Sequence, residues 1–325
     1  MRDDRQSHLR RALPVVALVL LVALPFLAQA AGQPALVTLA TRMMILGLAA
    51  SALNIALGFG GLVSLGHAAF YGVGAYATGI LTTHAAAGTL FLGAIPGSDQ
   101  LLVNMAAALL ASGLAAAIIG ALALRTSGIQ FIMITLAFAQ MLFFFFVALK
   151  AYGGDDGLSL RRRNQMFGLN MRDDATFFYV TLFVLLSWLG VCARILHSRF
   201  GLFLGGIRQS ERRMQAIGVD TFRTRWLAFV ISGMGAGLAG ALMANLGRFV
   251  SPDMMHWTTS GELLIMNVLG GTGTIFGPVI GAFALIGFEA VLAGWTEHWQ
   301  VILGPLLVIM VLAFRGGLAR IGRRP

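Results

Sequence analysis

Residues 194–225 read RILHSRFGLFLGGIRQSERRMQAIGVDTFRTR, the longest polar and basic interruption in a chain that is otherwise apolar almost throughout. On either side lie the apolar runs Phe177–Leu196 and Trp226–Leu246, each close to the roughly 20 residues that a helix needs to cross a bilayer. A polar, helix-forming loop between two such runs is held outside the membrane. It offers a surface on which a second protein can press. A soluble domain would need no such contrast.

The composition agrees with that reading. Hydrophobic residues make up 58% of the chain and charged residues 11%, against about 25% charged in an average globular domain. So few charges cannot cover a soluble core. The 41 glycines fit closely crossing membrane helices, and the 23 phenylalanines suit lipid-facing or core positions equally. The expected fold is all-α: a polytopic helical membrane protein, one transmembrane domain over residues 1–325. The net charge of +10 invites a nucleic-acid reading. The arginines, however, sit at the ends of apolar runs and in short loops, where they set orientation and meet anionic lipid. A nucleic-acid partner is therefore not expected. The single cysteine, Cys192, lies within an apolar run and excludes a disulfide framework.

Hydropathy predicts about ten spans, with broken helices among them. Ala12–Ala31 follows the basic start Met1–Arg11 and ends in a sequence resembling a signal-peptide cleavage site, but further spans follow at once and it reads as a retained first helix. Leu36–Leu57 is the second, and a third runs to about Leu92 after a glycine-broken stretch over Gly58–Tyr76. Leu101–Leu124, Ile129–Leu149, Phe177–Leu196 and Trp226–Leu246 follow, then the broken region Ser260–Pro278, Val279–Leu292 and Val301–Phe314. Both termini are then cytoplasmic, and most of the 23 lysines and arginines fall on that side. Arg161–Arg163 and Arg172 oppose the rule, with Asp155, Asp156, Asp173 and Asp174 nearby. Reading Ser260–Pro278 as re-entrant would give nine spans and an external tail.

The two broken regions look alike. One contains Gly60, Gly61, Ser64 and Gly66, and the other contains Gly270, Gly271 and Thr274. Irregular backbone survives at membrane depth only against protein or a water-filled cavity, so paired interruptions point to a substrate path. Close helix packing explains the glycines equally well. Glu262 and Glu289 are ionisable groups within apolar sequence, and each reads as a path residue or a helix-end residue. Asn54 and Asn267 favour bonds across helices. His67 reads as structural or as facing a ligand. Thus Gly60, Gly61, Ser64, Gly66, His67, Glu262, Asn267, Gly270, Gly271 and Thr274 are the candidate translocation path.

No phosphate-binding G-x-x-x-x-G-K-[ST], nucleophile elbow or H-E-x-x-H occurs. The histidines are scattered without metal-ligand spacing. The chain is expected to bind no cofactor and to carry no catalysis. In the polar stretch, Gly205–Gly218 is expected as one helix stopped by Gly218. Ile207, Met214 and Ile217 then lie on one face, Arg208, Arg212 and Gln215 share another, and Glu211 pairs locally with its neighbours. Such a helix suits the lipid headgroup layer or a cytoplasmic partner equally.

Four segments resemble one family. They are LNIALGFGGLVSLGHAAFYGVGAYATG (53–79), GGDDGLSL (153–160), SRFGLFLGGIRQSERRMQAIGVDTFRTRWLAFVISGMGAGLAGAL (198–242) and ELLIMNVLGGTGTIFGPVIGA (262–282). Together they resemble the LivM-type permease subunits of bacterial branched-chain amino acid ABC transporters, whose relatives carry urea or short-chain amides. The resemblance implies an inner-membrane protein whose loop 197–225 is a coupling segment for separate ATP-binding subunits. Glu211, Ala216 and Gly218 match that motif, flanked by Arg208 and Arg212. Gly205-Gly206 and Gln209-Ser210 depart from its commonest form, and Asn267 stands where a small apolar residue is usual. ATP would be used by the partner subunits. A second, homologous permease and a periplasmic substrate-binding protein are further implied partners. The rival function is an ion-coupled secondary transporter.

Overall fold

A computed structural model describes residues 19–91, 93, 95–296, 298–313 and 316–320. The segment Met1–Arg11, the first part of the Ala12–Ala31 run and most of the tail Arg315–Pro325 lie outside the described residues, and with them both expected cytoplasmic termini. The chain is organised as α1 Val19–Ala30, α2 Ala35–Asn54, α3 His67–Ala87, α4 Leu101–Ala123, α5 Ile129–Ala148, α6 Asp174–Leu196, α7 Arg199–Gln209, α8 Glu211–Ala216, α9 Thr221–Gly247, α10 Trp257–Gly270, α11 Gly277–Ala293 and α12 Trp299–Ala313. Among the described residues, extended structure is confined to two antiparallel pairs of two-residue strands. These are β1 Leu90–Phe91 with β2 Ile95–Pro96, and β3 Leu158–Ser159 with β4 Phe249–Val250.

Among the described residues, five helices are long and apolar enough to cross a membrane by themselves: Ala35–Phe59 (α2 with the turn that prolongs it), α4, α5, α6 and α9. The protein is therefore a multi-pass membrane protein. The expected ten crossings would require α1, α3, α10, α11 and α12 to cross as well. Of these, α10 has 14 residues, about 21 Å at 1.5 Å per residue.

Helices α6 and α9 start upstream of their apolar runs because polar caps set them. Helix α9 begins at Thr221 rather than Trp226, where the Asp220 carboxylate accepts from the Arg223 amide at 3.0 Å. Helix α6 begins at Asp174. The Asp173 carboxylate accepts from the Thr176 amide at 2.9 Å and its hydroxyl at 2.8 Å. Those bonds hold the Asp173 carboxyl below its ordinary pKa.

The centre of the bundle is α9, which packs against α2, α3 and α4. Its small residues allow this approach. A methyl group at Gly240 would come within 1.8 Å of the Tyr71 carbonyl oxygen, and one at Gly74 within 2.1 Å of the Gly237 carbonyl oxygen. Backbones this close exclude any side chain and maximise packing where lipid offers no hydrophobic drive. At the periphery, α5 exposes Ile129, Met133, Met141, Phe144 and Phe145, an apolar band suited to lipid.

In the loop between α5 and α6, two of the four basic residues that oppose the charge rule form ion pairs. Arg162 pairs with Asp99 at 2.7 Å, and the largely buried Arg163 with Asp174 at 2.6 Å. The Arg163 guanidinium also lies 4.8 Å from the centre of the Phe177 ring.

Three sequence expectations are narrowed by the fold. The first break covers Ile55–Gly66 rather than reaching Tyr76, because Gly72 and Gly74 sit inside α3 against Met255 and Gly237. In the second, Glu262, Asn267 and Gly270 are all helical, and only residues 271–276 are irregular. The single helix over Gly205–Gly218 is two helices, because Ser210 adopts extended backbone at φ −162° and ψ 105°.

Candidate functional site

The polar stretch folds into two short helices with opposite exposure. Helix α7 buries Leu204 and Ile207, whereas α8 buries no residue. Ser210 separates them and caps α8, its hydroxyl accepting from the Arg213 amide at 3.5 Å. Gly218 ends α8 at φ 84°. There the Gly218 amide donates to the Gln215 carbonyl at 2.9 Å and the Val219 amide to the Met214 carbonyl at 3.0 Å. The Met214 sulfur folds back over Gly206. Ile207, Met214 and Ile217 therefore share no face: Ile207 is 1% exposed and Ile217 72%.

Glu211 pairs with Arg225, in the first turns of α9, at 2.8 Å. It does not pair with Arg208. Gln215 donates to the Thr221 hydroxyl at 3.1 Å. These two contacts fix α8 against the start of α9 and leave Arg212, Ala216 and Gly218 exposed. Arg208 turns the other way, its Nη1 donating to the Gly58 carbonyl oxygen.

That carbonyl belongs to the first break. After Asn54, the chain makes a wide π-turn over Ile55–Phe59, and the Gly60 amide donates to Ile55 and the Leu62 amide to Ala56. Gly61 follows at φ 69°, a conformation that favours glycine. Ser64 is buried and accepts from the Gly66 amide at 3.1 Å, while the Leu65 amide donates to the Thr135 hydroxyl at 3.3 Å. The non-helical backbone is thus tied to α5.

The second break is the tip of an antiparallel hairpin formed by α10 and α11. Gly270 abuts the Gly277 carbonyl and Gly281 abuts the Met266 carbonyl. The Thr274 hydroxyl donates to the Gly271 carbonyl at 2.8 Å and accepts from the Gly277 amide at 3.1 Å. The two breaks meet through one side chain. Asn54 accepts from the Gly273 amide at 3.0 Å and donates to the Thr274 carbonyl at 2.7 Å. This satisfies irregular backbone that lipid could not.

The remaining path candidates are dispersed. His67 is fully buried, with Phe70 and Phe229 edge-on at 5.5 Å. Ser232 gives its proton to the Ala52 carbonyl at 2.6 Å, so the His67 Nε2–H donates to Ser232 at 2.7 Å. Asn267 is also buried, donating to the Ala50 and Leu263 carbonyls at 2.9 and 2.8 Å. Both bind helices together in this conformation. Glu262 is exposed on α10, and Glu289 makes a loose 3.8 Å pair with Arg42. A shallow cleft of about 270 Å³ joins Gly61–Val63, the Thr126–Ile132 turn and Arg225. It brings the first break beside the partner of Glu211.

Sequence reasoning missed Arg225, Gly58, Gly273, Ser232 and Thr135. The hydroxyls of Thr135 and Ser232 interrupt apolar helices, which was the available signal. Gly58, Gly273 and Arg225 fall within the broken regions and the polar stretch, but nothing local singled them out, since each acts through contacts distant in sequence. Among the described residues no cluster of three or more His, Cys, Asp or Glu side chains could hold a metal ion. The arrangement offers mechanical contact between polar loop and helix ends, without groups set up for bond chemistry.

Comparison with known proteins gives the same direction. The family described as "Branched-chain amino acid transport system / permease component" matches residues 35–312. The high-affinity branched-chain amino acid transport system permease protein LivM of Escherichia coli strain K12 is 29% identical, covering 92% of this chain and 72% of that protein. LivM of Salmonella typhimurium is 28% identical over 91% and 71% respectively. A shorter similarity, 35% identity over 31% of this chain and 32% of the relative, links it to the autoinducer 2 import system permease protein LsrC of an Enterobacter species. No solved structure matches. The chain therefore belongs to the branched-chain amino acid transport permease family, and is a membrane transport subunit rather than an enzyme.

Proposed function

We propose that this permease forms part of the path by which branched-chain amino acids enter a bacterial cell across the inner membrane, and that α8 is the element on which separate ATP-binding subunits press. The observation that carries this reading is the exposure of α8. It buries no side chain of its own and yet is held in place at both ends, by Glu211–Arg225 and by Gln215–Thr221. Arg212, Ala216 and Gly218 are the residues it offers, with Glu211 fixing its angle.

Ten crossings with both termini in the cytoplasm accompany this reading. Gly317 packs against Gly271, so residues 316–320 share the end of the bundle that holds α7 and the hairpin tip. That arrangement favours α10, α11 and α12 as three successive antiparallel crossings.

A second, homologous permease covers the face of α10 that carries Glu262, Ile265 and Val268, all exposed. Among the described residues Glu262 has no salt-bridge partner, and a charge facing lipid near the bilayer centre costs roughly 2.5–3.5 kcal/mol. Between two permeases the same face is wet, and Glu262, Gly271 and Thr274 line the path. A periplasmic binding protein supplies the amino acid and sets most of the selectivity.

The test is transport in proteoliposomes. Uptake requires the ATP-binding subunits and ATP. Accumulation by this chain alone under a proton or sodium gradient would contradict the proposal. A binding screen of the cognate periplasmic protein against leucine, valine, urea and short amides fixes the substrate class, with leucine and valine expected to bind.

A further inference from the structure

Arg208 sits in the polar stretch yet faces away from α8. Its neighbours Leu204 and Ile207 anchor α7 in the bundle, and the arginine stem crosses Gly61, where an added methyl would lie 3.1 Å from its Cγ. The guanidinium reaches the Gly58 carbonyl. That carbonyl lies in the last turn of the helix formed by α2 and its π-turn, where carbonyls lack helical partners and the helix dipole favours a cation. Gly273 of the hairpin tip is beside the same guanidinium, an added methyl there lying 3.4 Å from Nη1. Asn54 bonds the tip to the end of α2 on both its amide and carbonyl sides. One side chain of the coupling stretch therefore bonds the first helix break and lies beside the second.

We propose that Arg208 is a positioning residue, the strut through which displacement of the coupling stretch reaches the inner ends of α2 and of the α10–α11 hairpin. This rests on the proposed coupling role of α8, and it separates two jobs within one loop. Helix α8 receives the push and Arg208 passes it on. Leu204 also packs beside Gly60, but Arg208 is the side chain of the loop that bonds a carbonyl of the first break. The guanidinium suits a strut because it is always charged and its planar fork holds a fixed direction.

The experiment uses the full importer, assembled with its second permease, ATP-binding subunits and binding protein in proteoliposomes. Thr272→Cys places a thiol at the hairpin tip, while the native Cys192 is buried. Labelling by a water-soluble maleimide is measured with and without ATP. With Arg208 intact, ATP changes the labelling rate. Arg208→Met keeps the stem but removes every donor. The ATP-induced change then falls by about tenfold, the effect of losing one charge-assisted hydrogen bond. ATP hydrolysis and copurification of the ATP-binding subunits stay within about twofold of wild type, since the exposed residues of α8 are untouched.

Arg208→Lys retains the charge on one donor nitrogen in place of the planar fork and keeps part of the response, which serves as the reading if the methionine variant fails to assemble. A full ATP response in Arg208→Met would overturn the strut. So would loss of the ATP-binding subunits from a folded Arg208→Met or Arg208→Lys permease, since Arg208 would then be an ATPase contact. No ATP response even with Arg208 intact would overturn the coupling reading itself, and the strut with it.

Discussion

Helices α7 and α8 are adjacent in one polar stretch and differ in both composition and burial. Helix α7 is tied inward by Leu204, Ile207 and Arg208. Helix α8 has no buried residue and is braced against the start of α9 by Glu211 and Gln215, with Met214 folded over Gly206 of α7. The hinge between them is one residue, Ser210, in extended conformation. A polar membrane loop is therefore not uniformly a surface: one half belongs to the bundle and the other to whatever lies outside it.

Substitutions on the two halves should fail in different ways. Leu204 is fully buried, so Leu204→Ala should lower stability by about 3 kcal/mol, seen as a fall in thermal midpoint of the purified permease. Asn54→Leu strikes the side chain that joins the two breaks behind the inward half. Leaving the Gly273 amide and Thr274 carbonyl without their partner should cost about 2 kcal/mol, read in the same assay. On the outward half, Gly218→Ala should cost about 1 kcal/mol because the alanine must hold a left-handed φ. Glu211→Arg removes a partly exposed ion pair worth about 1 kcal/mol or less. Yet it should uncouple ATP hydrolysis from uptake in the assembled importer while the permease stays folded. If Glu211→Arg transports normally with ATP-binding subunits attached, Glu211 has no coupling role. Equal stability losses on the two halves would erase the distinction between them.

Much of the bundle was legible because membrane-spanning helices are long apolar runs, and α2, α4, α5 and α6 begin within a few residues of expectation. The caps were not, because Asp173 and Asp220 lie in polar sequence that hydropathy assigns to loops. The breaks were read too broadly for a different reason. A glycine that permits a turn, such as Gly61, and one that permits a close crossing, such as Gly74, are the same letter in sequence. Only the neighbouring backbone distinguishes them. The polar stretch shows the same limit. Helical periodicity grouped Ile207 with Ile217, and the extended Ser210 set them on opposite sides of a hinge. Glu211 was expected to pair within its helix, but its partner Arg225 lies across the turn that begins α9.

The central claim is that α8 meets an ATP-binding subunit. Ala216 is exposed at its end, and Ala216→Cys introduces a thiol there without disturbing a buried contact. A short bifunctional reagent applied to the assembled importer in membranes should join that thiol to an ATP-binding subunit, and binding of those subunits should protect it from a water-soluble maleimide. A thiol that is never joined to them, and reacts equally in the free permease and in the complex, would contradict the account.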